Sequence, residues 1–465
     1  MAATQDGGSS VLPAMSRIGR NHPCAHDSIH HNRGETVRGT MVVQFMAQKN
    51  VETTLPQPAT LKRSLGLPMI TFYGLGTIVG AGFYALVGQV SAAAGLFTPL
   101  AFLVASLVAM FSAFSFAELS SRMPYSAGEA HYVQQAFGRG WLAATVGWMV
   151  IATGVVSAAT LANAFAGFVS GFVDVPNWLT ASAMVLAIGG VAAWGIGQSA
   201  LLALIVTIVE IGGLLFVLCV AGDKLATIPA RMADLTPSAA WLDWSGIMLG
   251  AYLAFYAFVG FEDMVNVAEE VKRPERNLPI AILTALGITA LLYVIVGLVA
   301  VLAVPQQELI DSDSPLSLIV APVGAWAAGG IRVIGMLSGI NGALVQIVMA
   351  ARVAYGLAHK GQAPAILARV NPGTRTPLTA TVIITCVVLA LALWFPLTTL
   401  AKITSTILLG VYALVNASLW RIKRRGADER TEGPTYPIWM CVTGLVLCLA
   451  FLSFNALWEL WLKTE

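Results

Sequence analysis

Two glycine-punctuated runs carry the chemistry most easily read from this chain: GLGTIVGAGFY, residues 74–84, and GAYLAFYAFVGFEDM, residues 250–264. Each interrupts an apolar stretch that otherwise reads as one helix. A helix that stops and restarts leaves free carbonyls at the stopping half, and free N–H groups with the positive end of the dipole at the restarting half. Such ends suit a ligand carrying both signs of charge. A carboxylate would rest on the N–H groups of Gly80, Ala81 and Gly82, where absent or small side chains permit close approach. An ammonium would sit among the carbonyls near Ile78, Tyr256 and Val259. A single glycine motif is better read as close helix packing; two at matched positions point to a binding site. Three acidic residues, Glu210, Glu262 and Asp263, stand in the same apolar surroundings.

The elements that must position these groups are membrane helices. The chain is 57% hydrophobic and 11% charged, with a mean hydropathy of +0.77, outside the range of soluble domains. Apolar stretches long enough to cross a bilayer as helix fall at about 68–93, 97–121, 141–172, 178–195, 199–221, 246–268, 278–304, 328–357, 378–396, 398–420 and 437–458. Eleven spans follow. Alternate loops hold the Lys and Arg residues: Lys62 and Arg63; Arg122 and Arg139; Lys272, Arg273 and Arg276; Lys360, Arg369 and Arg375; and Arg421, Lys423, Arg424 and Arg425. That side is assigned to the cytoplasm. The opposite loops are poorer in positive charge, and one of them, QQELIDSDS, is acidic. The N-terminus is then cytoplasmic and the C-terminus outside.

The interrupted spans are the first and the sixth. Counting from them gives two five-helix repeats of opposite topology, each opening on a broken helix. Irregular backbone at membrane depth is tolerated where it lines a cavity or is covered by protein, so the two breaks are expected to face each other. Glu210 lies eleven residues into the fifth span, about 16 Å deep at ~1.5 Å per residue. An ionisable group at that depth is costly and usually functional. It either loads and releases a proton during a conformational cycle or stays protonated and hydrogen-bonds a neighbouring helix.

Other features exclude function classes. The net charge of +2 reflects the loop asymmetry, and the basic residues form no stripe, so nucleic acid is not a partner. Cys219, Cys386, Cys441 and Cys448 lie in apolar spans and read as small hydrophobes, with no disulfide expected. Residues 1–60 are polar, rich in Gly, Ser and His, and read as a disordered cytoplasmic tail. HPCAHDSIHH, residues 22–31, is a weak metal signal without paired spacing, and no metal site or cofactor is expected. Met41 and Met46 are alternative starts within this tail, which carries no apolar signal-peptide core. No Ser/His/Asp set, HExxH motif or phosphate loop marks an enzyme.

Four segments in order, LPMITFYGLGTIVGAGFYALVG, RMPYSAGEAHYVQQAFG, FYAFVGFEDMVNVAEEVKRPERNLPIAI and ARVAYGLAHKGQAPAILARVNPGTRTP, resemble the amino acid, polyamine and organocation transporters over roughly residues 60–425. The resemblance implies an all-α LeuT-type fold of 5+5 inverted repeats and transport by alternating access. Residues 61–425 would form the ten-helix core, and residues 426–465 a cytoplasmic loop and an additional eleventh helix. The family usually has twelve. It implies that Gly80, Ala81 and Gly82 hold the substrate carboxylate, that the Ile78 and Val259 carbonyls take the amino group, and that Tyr256 covers the substrate as a gate. Glu262 matches an acidic position common in the family, with a role in gating or in holding the unwound region. Asp263 has no trusted match. Glu269 and Glu270 read as interfacial partners of Lys272 and Arg273.

Several proton-coupled relatives carry a Lys in the fifth span, where VTIVEIGGLL presents Glu210. Sodium-coupled members of the fold use hydroxyls of the eighth span, and GINGALVQIVMAARVAYG, residues 339–356, has none, so sodium coupling is not favoured. Thr153, Ser157 and Thr160 share one face of the third span and either line the pathway or pack. The expectation is a secondary active amino-acid transporter of the plasma (bacterial inner) membrane, multi-pass, proton-coupled as a symporter. The alternatives are an amine or polyamine exchanger and a nontransporting amino-acid receptor. Its partners are the amino-acid substrate, protons and membrane lipids; oligomeric state is not legible.

Overall fold

The computed structural model describes residues 63–125, 128–195, 200–371, 373–374, 376–426 and 433–462. The tail 1–60, with its histidines and with Met41 and Met46, lies outside the described residues, as do Lys62 and Arg375. The described chain is helical, with no strand and one isolated bridge, Leu65 to Val271. In chain order the α-helices are α1 (Leu67–Ile78), α2 (Ala81–Ala94), α3 (Thr98–Arg122), α4 (Gly128–Phe137), α5 (Gly140–Ser170), α6 (Asn177–Trp194), α7 (Ala200–Ala221) and α8 (Ile228–Leu235). These are followed by α9 (Trp241–Ala254), α10 (Pro274–Ala303), α11 (Gln306–Asp311), α12 (Pro315–Val320), α13 (Ala325–His359), α14 (Leu378–Trp394), α15 (Leu397–Arg424) and α16 (Ile438–Leu462).

Each of the eleven apolar stretches is helical over most of its described length. Among the described residues nine helical segments have the length and hydropathy to cross a membrane, with Leu67–Ile78 and Leu378–Trp394 as shorter apolar helices. The protein is an all-α, multi-pass integral membrane protein. Prolines sit in the first turn of α1, α3, α8, α10 and α12, where the missing N–H costs no helix bond. The acidic loop 306–314 is not extended: it folds into α11 and is pinned onto α2, where Gln306 Nε2 donates to the Ser91 carbonyl at 3.2 Å.

The long helices pack in pairs: α3 on α10, α5 on α13, α6 on α14. α1 lies between α7 and α10, and α9 against α2. The two broken segments therefore end up enclosed by protein, the condition that irregular backbone needs in a bilayer.

The eleventh helix is bound to the rest by polar contacts that the apolar pattern conceals. Asn416 of α15 accepts from the Ser115 hydroxyl at 2.6 Å and donates to Ser112 at 3.0 Å, both on α3, with Cys448 of α16 beside them. At the basic-loop end Glu118, fully buried on α3, pairs with Arg122 at 2.7 Å and Lys423 at 2.7 Å and accepts the Tyr436 N–H at 2.9 Å. Breaking a buried pair from one side leaves uncompensated charge at a cost of about 3–5 kcal/mol. Glu118→Gln should therefore lower the melting temperature of the detergent-purified protein by several degrees. An unchanged melting curve would mean that the triad holds nothing.

Candidate functional site

α1 ends at Ile78, and the chain runs extended through Gly80 (φ −129°, ψ −177°) before α2 begins at Ala81. The second break is less abrupt. α9 tightens into a 3-10 turn over Phe255–Phe258, Val259 is extended, Gly260 turns at φ +127°, and a 3-10 helix resumes over Glu262–Glu270. That left-handed φ favours glycine. A Cβ at Gly260 would also overlap the Thr77 carbonyl, so the close approach of the two breaks itself requires a glycine there.

The breaks do face each other. The Thr77 hydroxyl donates to the Gly260 carbonyl at 2.9 Å. The ring of Tyr256 lies over Gly82, where a built Cβ would stand 2.9 Å from Cε1. The N–H groups of Ala81 and Gly82, in the first turn of α2, have no protein acceptor among the described residues. These are the orphaned donors that a restarting helix must offer.

The carbonyl side is more occupied than the sequence suggests. Tyr293 of α10 donates its hydroxyl to the Ile78 carbonyl at 2.9 Å, and the Gly80 N–H lies by the same hydroxyl. The Tyr256 carbonyl accepts the Val259 N–H at 3.1 Å. A carbonyl oxygen has two lone pairs, so both retain acceptor capacity for an ammonium. Tyr293 is held in turn by stacking on Phe83, with ring centroids 3.9 Å apart. Nothing in the sequence pattern separates Tyr293 from an ordinary core aromatic.

Tyr256 itself is buried, and its hydroxyl meets Ser157 Oγ of α5 at 3.1 Å. On the hydroxyl face of α5 Ser157 anchors the ring over Gly82, Thr160 also faces the Tyr256 hydroxyl while bonding its own helix at Val156, and Thr153 returns its hydrogen bond to its own helix at Met149.

The acidic residues occupy separate positions. Glu262 Oε2 accepts the Gly260 N–H at 2.8 Å and the Tyr412 hydroxyl of α15 at 2.7 Å, so it ties the second break to α15. Asp263 Oδ2 accepts Nε2 of Gln346 of α13 at 3.2 Å. Glu210 is 1% exposed, and neither carboxyl oxygen has a hydrogen-bond partner of strict geometry among the described residues. The Ser338 hydroxyl of α13 faces it as a weak hydrogen-bond partner, near enough to act on the carboxyl but outside strict hydrogen-bond geometry. Ser338 also stands 3.7 Å from where a Gly80 Cβ would be, and Tyr84 donates to the Glu210 carbonyl at 2.6 Å. Glu210 therefore belongs to the back wall of the first break.

One sequence argument needs correcting. The hydroxyl-free window of the eighth span begins at Gly339, and the residue just before it is Ser338, buried at the break. The eighth span does present a hydroxyl there, and the case against a cation site loses that support.

Residues 65–460 match the amino acid permease family. The branched-chain amino acid permease BcaP of Bacillus subtilis is 27% identical over 86% of this chain and 89% of its own length. The methylthioribose transporter of the same organism is 26% identical over 87% and 91%. A vacuolar cationic amino acid transporter of Arabidopsis thaliana, number 4, is 28% identical over 75% of this chain and 61% of its own. With two enclosed helix breaks and a family match across all the described spans but the ends, the chain belongs to the amino acid permease family.

Proposed function

We propose that the protein is a secondary active transporter that carries amino acids across the plasma (bacterial inner) membrane by alternating access, as a proton-coupled symporter. The observation that supports this reading is the pair of facing breaks, with the Ala81 and Gly82 N–H groups free of protein acceptors among the described residues and the carbonyls of Ile78, Tyr256 and Val259 belonging to the same two breaks. Unpaired donors on one side and spare acceptors on the other match the carboxylate and ammonium of an amino acid. The names of the relatives, branched-chain and cationic amino acid carriers among them, support that cargo. The pairing of α3 with α10, α5 with α13 and α6 with α14 supports the two-repeat reading, because each pair joins corresponding spans. The basic loops support a cytoplasmic N-terminus.

Tyr256 acts as the gate: its ring closes over Gly82 while Ser157 holds its hydroxyl. Glu210 carries the driving proton, and Glu262 fixes the second break through Gly260 and Tyr412. A second reading is favoured by the under-satisfied Glu210 carboxyl and Ser338 hydroxyl, two oxygen groups of the kind a hard cation takes. In that reading sodium replaces the proton.

The test is uptake of a radiolabelled mixture of amino acids into proteoliposomes of the full chain. A pH gradient is imposed with and without sodium. Accumulation under an acid-outside gradient in sodium-free buffer is expected. Binding without flux would make the protein a receptor, and exchange without gradient-driven accumulation would make it an exchanger.

A further inference from the structure

Two cavities lie on the basic-loop side of the breaks, and Asp263 lines both. The first, of about 30 Å³, is bounded by Tyr73 and Thr77 of α1, Thr207 of α7 and Gln346 of α13. The second, of about 10 Å³, is bounded by Glu129 of α4, Thr153, Glu262 and Tyr412. One water needs roughly 10–15 Å³ by this measure, so the first has room for about two and the second for about one.

Glu129, Glu262 and Asp263 are all buried around the second cavity, and no lysine or arginine pairs with any of them among the described residues. Three like charges so close in a poorly solvated space cannot all persist; protons must be shared among them. Glu262 Oε2 is already engaged by the Gly260 N–H and the Tyr412 hydroxyl. Glu129 lies outside the membrane spans on α4, and burial, aided by the nearby Glu262 charge, pushes its carboxyl up to about 8, against a hydrogen bond from its own backbone. It is thus protonated below that pH and releases its proton above it.

Gln346 supplies an independent observation. Its Nε2 donates to Asp263 Oδ2, which leaves Oε1, 94% buried by residue exposure of 6%, without a donor at the wall of the first cavity. A buried acceptor left open calls for a donor, and in a space of this size the donor is a water or the proton it carries. A protonated Asp263 also has a donor for Oε1 if the amide turns over. The remaining ionisable groups around Asp263 are Tyr73 of α1 and Tyr412 of α15, with Arg352 and Glu270 acting on Tyr73 from farther out.

We propose that the two cavities form a proton-release route: Asp263 accepts a proton delivered as a hydronium in the first cavity, leaving a neutral water there, and passes it through the second cavity to Glu129, which sheds it to the basic-loop side. The proposal rests on the proton-coupled reading above. The first transfer moves a proton from hydronium to the Asp263 carboxylate, the second from the Asp263 carboxyl to the Glu129 carboxylate directly or through a water, and the last from the Glu129 carboxyl to bulk water. Gln346 follows the charge of Asp263, offering Nε2 to the anion and Oε1 to the acid.

Two measurements test it on the full chain in proteoliposomes. In infrared titration, the carbonyl stretch of a buried protonated carboxyl should fade with a midpoint near pH 8 in the wild type and be missing in Glu129→Gln. In transport, a gradient of one unit supports up to about tenfold accumulation for one proton per substrate. Glu129→Gln and Asp263→Asn should lose that accumulation relative to exchange of the same amino-acid mixture in the same vesicles, and Asp263→Glu should restore it. Wild-type ratios in both neutral variants would overturn the route, as would an infrared band indifferent to Glu129→Gln. A wild type that ignores the gradient would instead sink the proton-coupled reading itself. The infrared result would then still report on Glu129. Should Asp263→Asn not purify, Gln346→Met, which keeps the length but removes the amide, should shift the pH profile of gradient-driven uptake.

Discussion

Gly82→Leu is expected to purify as a folded protein that binds no amino acid. A Cβ at this position already stands 2.9 Å and 3.1 Å from the Tyr256 ring and 3.8 Å from the Ala257 Cα. A leucine must push the ring off Ser157 or fill the space over the Ala81 and Gly82 N–H groups. Either outcome removes the surface on which the carboxylate is proposed to rest. Gly82→Ala is a graded version. Overpacking costs about 1–3 kcal/mol, so affinity should fall roughly 5- to 150-fold if the bound state carries that cost. Gly190→Leu is the control, because Gly190 is exposed on α6 and a Cβ there meets nothing within 4 Å. The measurement is equilibrium binding of a radiolabelled amino-acid mixture to detergent-purified protein, with thermal melting as the check on folding. Wild-type affinity in a folded Gly82→Leu protein would refute the site.

The sequence made the helices legible because a bilayer imposes one strong rule: about 20 apolar residues per crossing. It made the breaks legible because only irregular backbone needs glycines at matched depths in two spans. The lateral partners were not legible. Tyr293 braces Ile78 and Tyr412 holds Glu262 from helices far along the chain, and an apolar helix hides such a tyrosine among others that only pack. Ser338 escaped notice for a different reason. The eighth span, 328–357, contains it, but the hydroxyl-free window begins only at Gly339, and that Ser338 faces Glu210 follows from the fold alone. Glu129 sits in a polar loop segment where an acid draws no attention; only the folding of α4 onto α5 and α15 buries it beside Glu262 and Asp263. Glu210 was visible because its depth follows from counting residues, yet its neighbours at Gly80, Tyr84 and Ser338 required the fold.

Those neighbours sharpen the expectation for coupling. A carboxyl 1% exposed whose facing donor is the Ser338 hydroxyl alone, outside strict hydrogen-bond geometry, is under-satisfied for a purely structural group, which at that depth would be fully bonded to neighbouring helices. Its location at the back wall of the first break lets the shape of that segment respond to its charge. Glu210→Gln keeps the side chain's outline but fixes it neutral, so the protein loses the difference between loaded and unloaded states on which a driving proton acts. Gradient-driven accumulation should vanish, a loss of up to about tenfold per pH unit for one proton per substrate, while exchange of internal for external substrate serves as the reference in the same vesicles. Radiolabelled uptake is measured at acid-outside, acid-inside and equal pH. Wild-type uptake should rise when the outside is acidic, and the Gln variant should show no such dependence. A variant that still concentrates substrate under that gradient would make Glu210 a structural carboxyl. Coupling would then be sought at Glu262 or at the Asp263 and Glu129 carboxyls, or in a cation, which the same assay detects as dependence on sodium at equal pH. Ser338→Ala separates those two outcomes, because it removes an oxygen that a sodium ion would use and leaves the acceptors of Glu262 in place.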